Sequence, residues 1–377
     1  MSVFDNIRPY YDSEVNQALQ QMVNHPMMKA IMNFTFEEEN EDEWKKQLLK
    51  TQSIRDFQIN FIYNSIKKVL EKSSEGLTVS GFEKLLPNES YLFISNHRDI
   101  ILDTSLLNVS LFDYGLVMTA SAIGDNLVQK EFLLKLSKLN RNFIVQRNLP
   151  PRELLQSSKQ LSEYIKKLIL NENRSVWIAQ REGRTKDGND FTHSGVLKML
   201  AMAKENQHIT HYFKSLKIVP VSISYEYDPT DALKMPQLLA EANDKIYIKE
   251  KNEDFINLIS GIIGQKKRIH ISLGNIIDQK LELLNELDNE NKQIKFIAQI
   301  LDEEIIKNYK LWPTNYIALD ILNNTNKNAD KYTEQEKNIF ERRLEIKLKD
   351  NESAKESFLA MYANPVLNQL KINTNAI

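Results

Sequence analysis

Apolar positions recur at helical spacing over residues 13 to 35, through Val15, Leu19, Met22, Val23 and Ile31, and predict a helix there. A second helical pattern covers residues 44 to 72, with Leu48, Leu49, Ile54, Phe57, Phe61, Ile62 and Ile66 on one side. The acidic run EEENEDE at 37 to 43 reads as a solvated linker or a helix start. These patterns predict an all-helical N-terminal segment over residues 1–75, and no motif for chemistry lies in it.

From about residue 76 short apolar runs bounded by turn residues alternate with longer helical patterns. YLFIS at 91 to 95, GLVMTA at 115 to 120, FIVQ at 143 to 146, SVWIA at 175 to 179, KIVPVSISY at 217 to 225 and RIHISL at 268 to 273 read as strands. Residues 129 to 139, 150 to 170 and 194 to 204 read as helices between them. This alternation predicts an α/β domain over 76–277, with a mixed, largely parallel central sheet flanked by helices. A helical, Asn/Lys/Glu-rich C-terminal region at 278–377 is expected to pack on it.

Composition narrows the function by exclusion. The 377 residues hold 49 basic and 51 acidic side chains, a net charge of -2, where a nucleic-acid binder normally shows a basic excess. There is no cysteine, hence no disulfide, no zinc-thiolate site and no thiol nucleophile. The histidines form no ligand-spaced cluster with carboxylates, so no metal is expected. The opening MSVFDNIRPYYDSEV lacks a signal-peptide pattern, and no uncharged run exceeds 14 residues, against the ~20 that a spanning helix needs.

The chemistry-bearing residues sit where predicted strands end, the place ligands collect in α/β sheets. YLFISNHRDIILD delivers Asn96 and His97 at a strand end, with Asp99 and Asp103 following. A histidine there suits proton abstraction from an alcohol, given a carboxylate to orient it; it equally suits capping of the next helix. Residues 130 to 147 hold five basic side chains and one acidic, on an amphipathic pattern that fits an anionic membrane surface or an ordinary packed helix with a solvated face. QREGRTKDGND at 180 to 190 reads as a ligand-facing loop or a solvated turn, and its Arg184 and Lys186 could hold a phosphate together. Pro220, inside its strand, suggests an edge or a bulge.

Taken in order, these blocks resemble those of the glycerolipid acyltransferase superfamily. NHRDIILD looks like its His-x4-Asp block, NFIVQR its F-I-x-R block, REGRTKDG its E-G-G/T-R-S-R block, and IVPVSISYE its proline-containing strand. GDNL, FLLKL and SYEYDP look closer to the glycerol-3-phosphate acyltransferases than to the lysophosphatidate enzymes. The resemblance covers roughly residues 90 to 230. It departs from the family twice: Leu102 stands where the family has its aspartate, which puts Asp103 six positions after His97, and Glu182-Gly183-Arg184 is one residue shorter than the family's block.

The resemblance implies His97 as general base and Asp103 as its orienting partner. It makes Arg147, Arg184 and Lys186 contacts to the acceptor's phosphate, with Glu182 and Gly183 in the same substrate loop, and strand 217–225 a wall of the acyl-donor pocket. The expected reaction moves a fatty acyl group from acyl-CoA or acyl carrier protein, as co-substrate and with no cofactor, to glycerol 3-phosphate or lysophosphatidate. The chain is expected to be cytoplasmic, peripheral on the inner face of an anionic membrane. The rivals are an O-acyltransferase for another lyso-lipid, such as an amino-acid lipid, and a catalytically inactive lipid-binding protein of the same fold.

Overall fold

The structure, a computed structural model, describes residues 2–348 and 352–375. Seven strands form one sheet: β1 (Ser74–Ser80), β2 (Leu92–Ser95), β3 (Thr119–Gly124), β4 (Asn142–Val145), β5 (Ser175–Ala179), β6 (Ile218–Tyr225) and β7 (Lys267–Leu273). Their order is β1-β7-β6-β2-β5-β3-β4, and every neighbouring pair is parallel except β6 with β7. The carboxyl ends of β2 to β6 therefore lie along one edge of the sheet.

The central strands β2, β5 and β6 are buried on both faces, as in mostly parallel sheets, while the edge strand β1 is half-exposed. Along β2, Leu92 and Ile94 face a core shared with the helices Pro151–Leu170, Ser194–Ala201 and Glu290–Lys307. Phe93 faces the opposite core, with Leu106 and Leu107 of the helix Leu102–Asp113 and Ile66 and Val69 of the helix Tyr63–Ser73. The C-terminal helices pack on the helix Asp231–Ala242 through Phe340, Phe358 and Tyr362 with Met235 and Leu238.

Several elements differ from the sequence patterns, each for a local reason. The helix expected over 13 to 35 is two, Asp12–Met22 and Pro26–Thr35. The residue before a proline is disfavoured in helical geometry, and His25 instead caps the second helix by accepting the Met27 N–H at 3.2 Å. The pattern over 44 to 72 likewise breaks after Lys50 and resumes at Ile54. The strand expected at 115 to 120 begins only at Thr119. Gly115, at φ +69°, closes the preceding helix, with its N–H on Phe112 O and the Leu116 N–H on Leu111 O. The strand β1 and the helices Asp231–Ala242 and Glu253–Ile263 have no counterpart in that reading.

Pro220 marks neither an edge nor a bulge, because β6 lies between β7 and β2. Its carbonyl accepts the Gly274 N–H at 2.8 Å, so its missing N–H faces the side where β7 has already ended, one residue beyond the Val221–Leu273 pair. Only the return bond of this last pair, Pro220 with Gly274, is lost, at the very end of the ladder.

Candidate active site

β2 is the central strand of the seven and releases the chain into the turn that carries His97. The His97 ring nitrogen Nδ1 lies 2.8 Å from Asp103 Oδ2. The same oxygen accepts the N–H groups of Arg98 (2.6 Å) and Asp99 (3.1 Å), and Oδ1 accepts the Tyr225 hydroxyl at 2.8 Å. Burial, followed by the charges of Asp103 and Asp99, raises the Tyr225 phenol well above its ordinary range, which keeps it a donor. Four donors thus converge on one fully buried carboxylate. With Nδ1–H directed at Asp103, Nε2 is left as the accepting nitrogen, and an imidazole held this way can take up a proton.

The helix Leu102–Asp113 begins after a turn spanning residues 98 to 101, which absorbs the extra residue between histidine and aspartate. Asp99 takes the capping position: Oδ1 accepts from Ile101 N–H at 2.9 Å and Leu102 N–H at 2.7 Å. Burial first, then Asp103, raises its pKa. Gly261 lies against its other oxygen; a Cβ there would sit 2.0 Å from Asp99 Oδ2.

Two neighbours hold this turn to the sheet. Asn96 replaces a ladder rung where β2 ends, donating to Ile223 O at 2.9 Å and accepting the Ile223 N–H at 2.8 Å. Arg98 makes a bidentate, buried pair with Asp190, both contacts at 2.6 Å. Asp190 thereby ties the histidine turn to the loop after β5, whose Thr185 N–H donates to His97 O at 2.8 Å.

A cavity of about 540 Å³ opens beside His97. Its wall includes Trp177, Ala122, Ile123, Val145, Leu154, Leu161, Val196 and Met199, with Arg147, Arg181, Glu182 and Gly183 among the polar contributors. This largely apolar lining suits a hydrocarbon chain. Trp177 Nε1 is tied to Ser95 Oγ at 2.9 Å, and its ring meets the His97 ring edge-on at 5.4 Å between centroids.

Not every residue singled out in the sequence reaches this cavity. Arg147 lines it, with Nε 3.5 Å from Glu182 Oε1. It packs over the end of β3, where a Cβ on Gly124 would fall 2.7 Å from that Nε. Arg184 and Lys186 are not on the wall: Arg184 donates to Thr230 Oγ1 at 3.0 Å, on the side of the helix Asp231–Ala242. Burial, and next the charge of Arg184, brings the Lys186 pKa down to about 8. No residue of 217 to 225 lines the cavity either, which corrects the expectation that this strand walls it. β6 lies on the far side of β2 and contributes Tyr225 and the backbone that holds Asn96.

Tyr225, Trp177 and Asp190 are the contributors that sequence reasoning missed. Only Tyr225 left a signal, as a polar residue at the end of a strand that runs into SYEYDP. The C-terminal helix Glu352–Asn375 braces the loop after β5: Asn364 donates to Asp187 O at 2.7 Å, and a Cβ on Gly188 would fall 2.2 Å from Met361 O.

The basic helix, observed at Glu131–Leu139, is a packed one. Phe132 and Leu139 are buried among Val15, Leu19, Trp44 and Phe57 of the N-terminal helices, and Leu133 and Leu136 pack against the same cluster. Lys138 is directed at the Tyr10 ring, and Arg141 donates to Gln58 Oε1 at 3.0 Å. Its apolar side is therefore already occupied. Among the described residues no helix is long and apolar enough to cross a membrane.

Residues 76–224 match the sequence profile of the family described as Acyltransferase, a span containing His97, Asp103, Arg147 and the 182–186 loop. No curated protein matches the chain significantly. Among solved structures, the 1-acyl-sn-glycerophosphate (LPA) acyltransferase PlsC from Thermotoga maritima is similar at 12% identity and a TM-score of 0.40, over 77% of this chain and 93% of that one.

Proposed function

We propose that this chain belongs to the glycerolipid acyltransferase superfamily, which the Acyltransferase match over residues 76–224 supports, and that it moves a fatty acyl group from acyl-CoA or acyl carrier protein to a hydroxyl of glycerol 3-phosphate or 1-acyl-glycerol 3-phosphate. The observation that carries this reading is the His97–Asp103 contact of 2.8 Å beside an apolar cavity. His97 Nε2 takes the acceptor's hydroxyl proton as its oxygen bonds to the thioester carbonyl carbon. The C–S bond then breaks, and the departing sulfur receives the proton back from His97. No acyl-enzyme is needed, which agrees with a chain that has no cysteine. The acyl chain occupies the cavity, with Glu182 and Gly183 at the donor end; Arg147, expected on the acceptor's phosphate, lines this same cavity apart from Arg184 and Lys186, and we reassign it to the donor end. The acceptor approaches from the other side of the histidine turn, its phosphate on Arg184 and Lys186.

The reading is tested with purified protein, labelled acyl-CoA or acyl carrier protein, and a panel of phosphorylated and phosphate-free acceptors. The expected product is a phosphorylated acylglycerol, lost when Arg184→Ala and Lys186→Ala are combined. Acylation of a phosphate-free acceptor alone, indifferent to those substitutions, overturns the acceptor assignment.

A product of this kind is amphiphilic, so we place the reaction at an anionic membrane surface, with the chain peripheral on the cytoplasmic face. The element we assign to that surface is the loop around Ile246 and Ile248, which are 91% and 82% exposed. The loop leads into the helix Glu253–Ile263, whose Asp254 accepts from Asn126 at 2.9 Å beside the cavity-lining Gly124 and Leu127. Ile246→Ser with Ile248→Ser should weaken vesicle sedimentation about tenfold or more, since each buried isoleucine contributes ~1.5–3 kcal/mol. Unchanged sedimentation removes the loop from this role.

A further inference from the structure

A second cavity, of about 310 Å³, lies at the opposite end of the strands, where Arg141 enters β4 and Arg174 enters β5. Its charged lining is Arg8, Arg141, Lys167 and Arg174 against Asp12 and Glu172. Most of these charges are already engaged. Arg8 is held by Asp5 at 2.7 Å and Glu14 at 2.6 Å, Lys167 pairs with Glu172, and Asp12 accepts the Ile54 N–H at 2.9 Å. Arg141 and Arg174 remain, and among the described residues neither forms an ion pair with a carboxylate.

Both guanidinium groups are half-buried and positioned. Arg141 donates to Gln58 Oε1 at 3.0 Å, and Gln58, itself buried, donates to Asn140 Oδ1 at 3.1 Å. Gln58 opens a π-helical turn, Gln58–Ile62, a distortion that concentrates at functional sites. Arg141 holds φ at +57°, a backbone strain that an arginine adopts only where surroundings impose it. Arg174 reaches the Met118 carbonyl at 3.5 Å. Burial, and then the charge of Arg174, lowers the Arg141 pKa to about 10, and burial lowers that of Arg174. Glu172 and Asp12 act on these cations only through space, without an ion pair, and two half-buried cations on one cavity wall are costly unless an anion joins them.

We propose that this cavity is a binding site for phosphate or a small phosphate monoester, held between Arg141 and Arg174. The planar guanidinium fork matches phosphate oxygens, and the cavity lies at the small end of the ~300–1,000 Å³ range of ligand pockets. Tyr11 and Tyr164 are also on its wall, and burial holds the Tyr164 phenol in its protonated form. The site is separate from the Arg184–Lys186 pair and does not depend on the acyltransferase reading.

The test uses the full chain carrying Arg184→Ala and Lys186→Ala, so that phosphate bound in the active site does not contribute. Inorganic phosphate and glycerol phosphate are titrated separately, with sodium chloride at matched ionic strength as control. At ten times its Kd, phosphate should raise the melting temperature by roughly 2 °C over the chloride control. Arg174→Gln should weaken binding about tenfold or more and abolish the shift, while Arg174→Lys retains part of it. If Arg174→Gln does not fold, Arg141→Gln reports the same loss. A larger response to glycerol phosphate assigns the site to a monoester, and an equal one assigns it to phosphate itself. A shift that chloride reproduces, or that survives removal of either guanidinium, overturns the proposal.

Discussion

The turn after β2 and the loop after β5 leave neighbouring parallel strands at the same end of the sheet, yet they treat their polar atoms oppositely. In the first, Asp103 accepts four donors and Asn96 is paired on both sides of its amide. In the second, Gln180 is fully buried and, among the described residues, neither atom of its side-chain amide has a partner. Arg181 Nε and Thr185 Oγ1 are in the same condition. Their backbones are nonetheless well held: Gln180 N–H donates to Ser95 O at 2.8 Å, and its carbonyl accepts the His193 N–H at 2.9 Å. A saturated network fixes one geometry, whereas buried polar groups without protein partners are costly unless something else answers them. The first region is thus set in advance, and the second leaves buried donors and acceptors unanswered by the described residues.

The largest effect should come from the saturated side. His97→Ala should lower turnover by ~10²–10⁴ with the melting temperature nearly unchanged, since its removal takes away the base without opening the apolar core. A variant that keeps a tenth of the rate excludes His97 as the base.

The two aspartates of the same turn should then separate. Asp103→Asn turns an acceptor of four donors into one with a competing N–H₂, and turnover should fall by about 10² or more through the wrong His97 tautomer. Asp99→Ala should instead cost about 1 kcal/mol of stability as a lost cap and leave most of the activity. Thermal melts and initial rates on both variants decide it, and the opposite pattern would reverse the assignment.

On the open side, Gln180→Met is close in volume and removes both unpartnered amide atoms. The melting temperature should hold or rise, because no protein hydrogen bond is lost, while kcat/KM should fall about tenfold if the amide meets the substrate. Unchanged kcat/KM would show that the openness of this loop serves nothing in the reaction.

The smallest effect is one of pH. Burial lowers the Lys186 pKa to about 8, from an ordinary 10.5, so its positive charge is present below that pH and lost as pH rises through it. KM for a phosphorylated acceptor should therefore rise several-fold between about pH 7 and 9, and flatten in Lys186→Ala. The linked stability runs the other way. Between about pH 8 and 10.5 the unfolded chain binds the extra proton, so the burial penalty at Lys186 is relieved as pH increases through that window.

Much of this site was legible along the chain, because its most telling features are local. A histidine at the end of an apolar run, with Asp99 and Asp103 at cap and first-turn distances, is a pattern that spacing alone can express. The strands β2, β4, β5, β6 and β7 are short apolar runs between turn residues, and the structure places them within a residue or two of those runs. β1 was not legible, since SEGLTVS is half-exposed and carries a glycine, so little apolar signal remains.

What tertiary structure alone decided is which groups from distant parts of the chain meet. Tyr225 lies 122 positions from the Asp103 it donates to, and Asp190 lies 92 from Arg98, so no spacing rule joins them. The amphipathic pattern of residues 131 to 139 specified an apolar side but not its occupant, which proved to be the N-terminal helices. Likewise Arg184 and Lys186 were visible as a basic pair, but the chain's path past Thr230 set them off the cavity wall. Periodicity and capping are properties of a few consecutive residues; what covers a face, or completes a charge, depends on strand order and on packing from the rest of the chain.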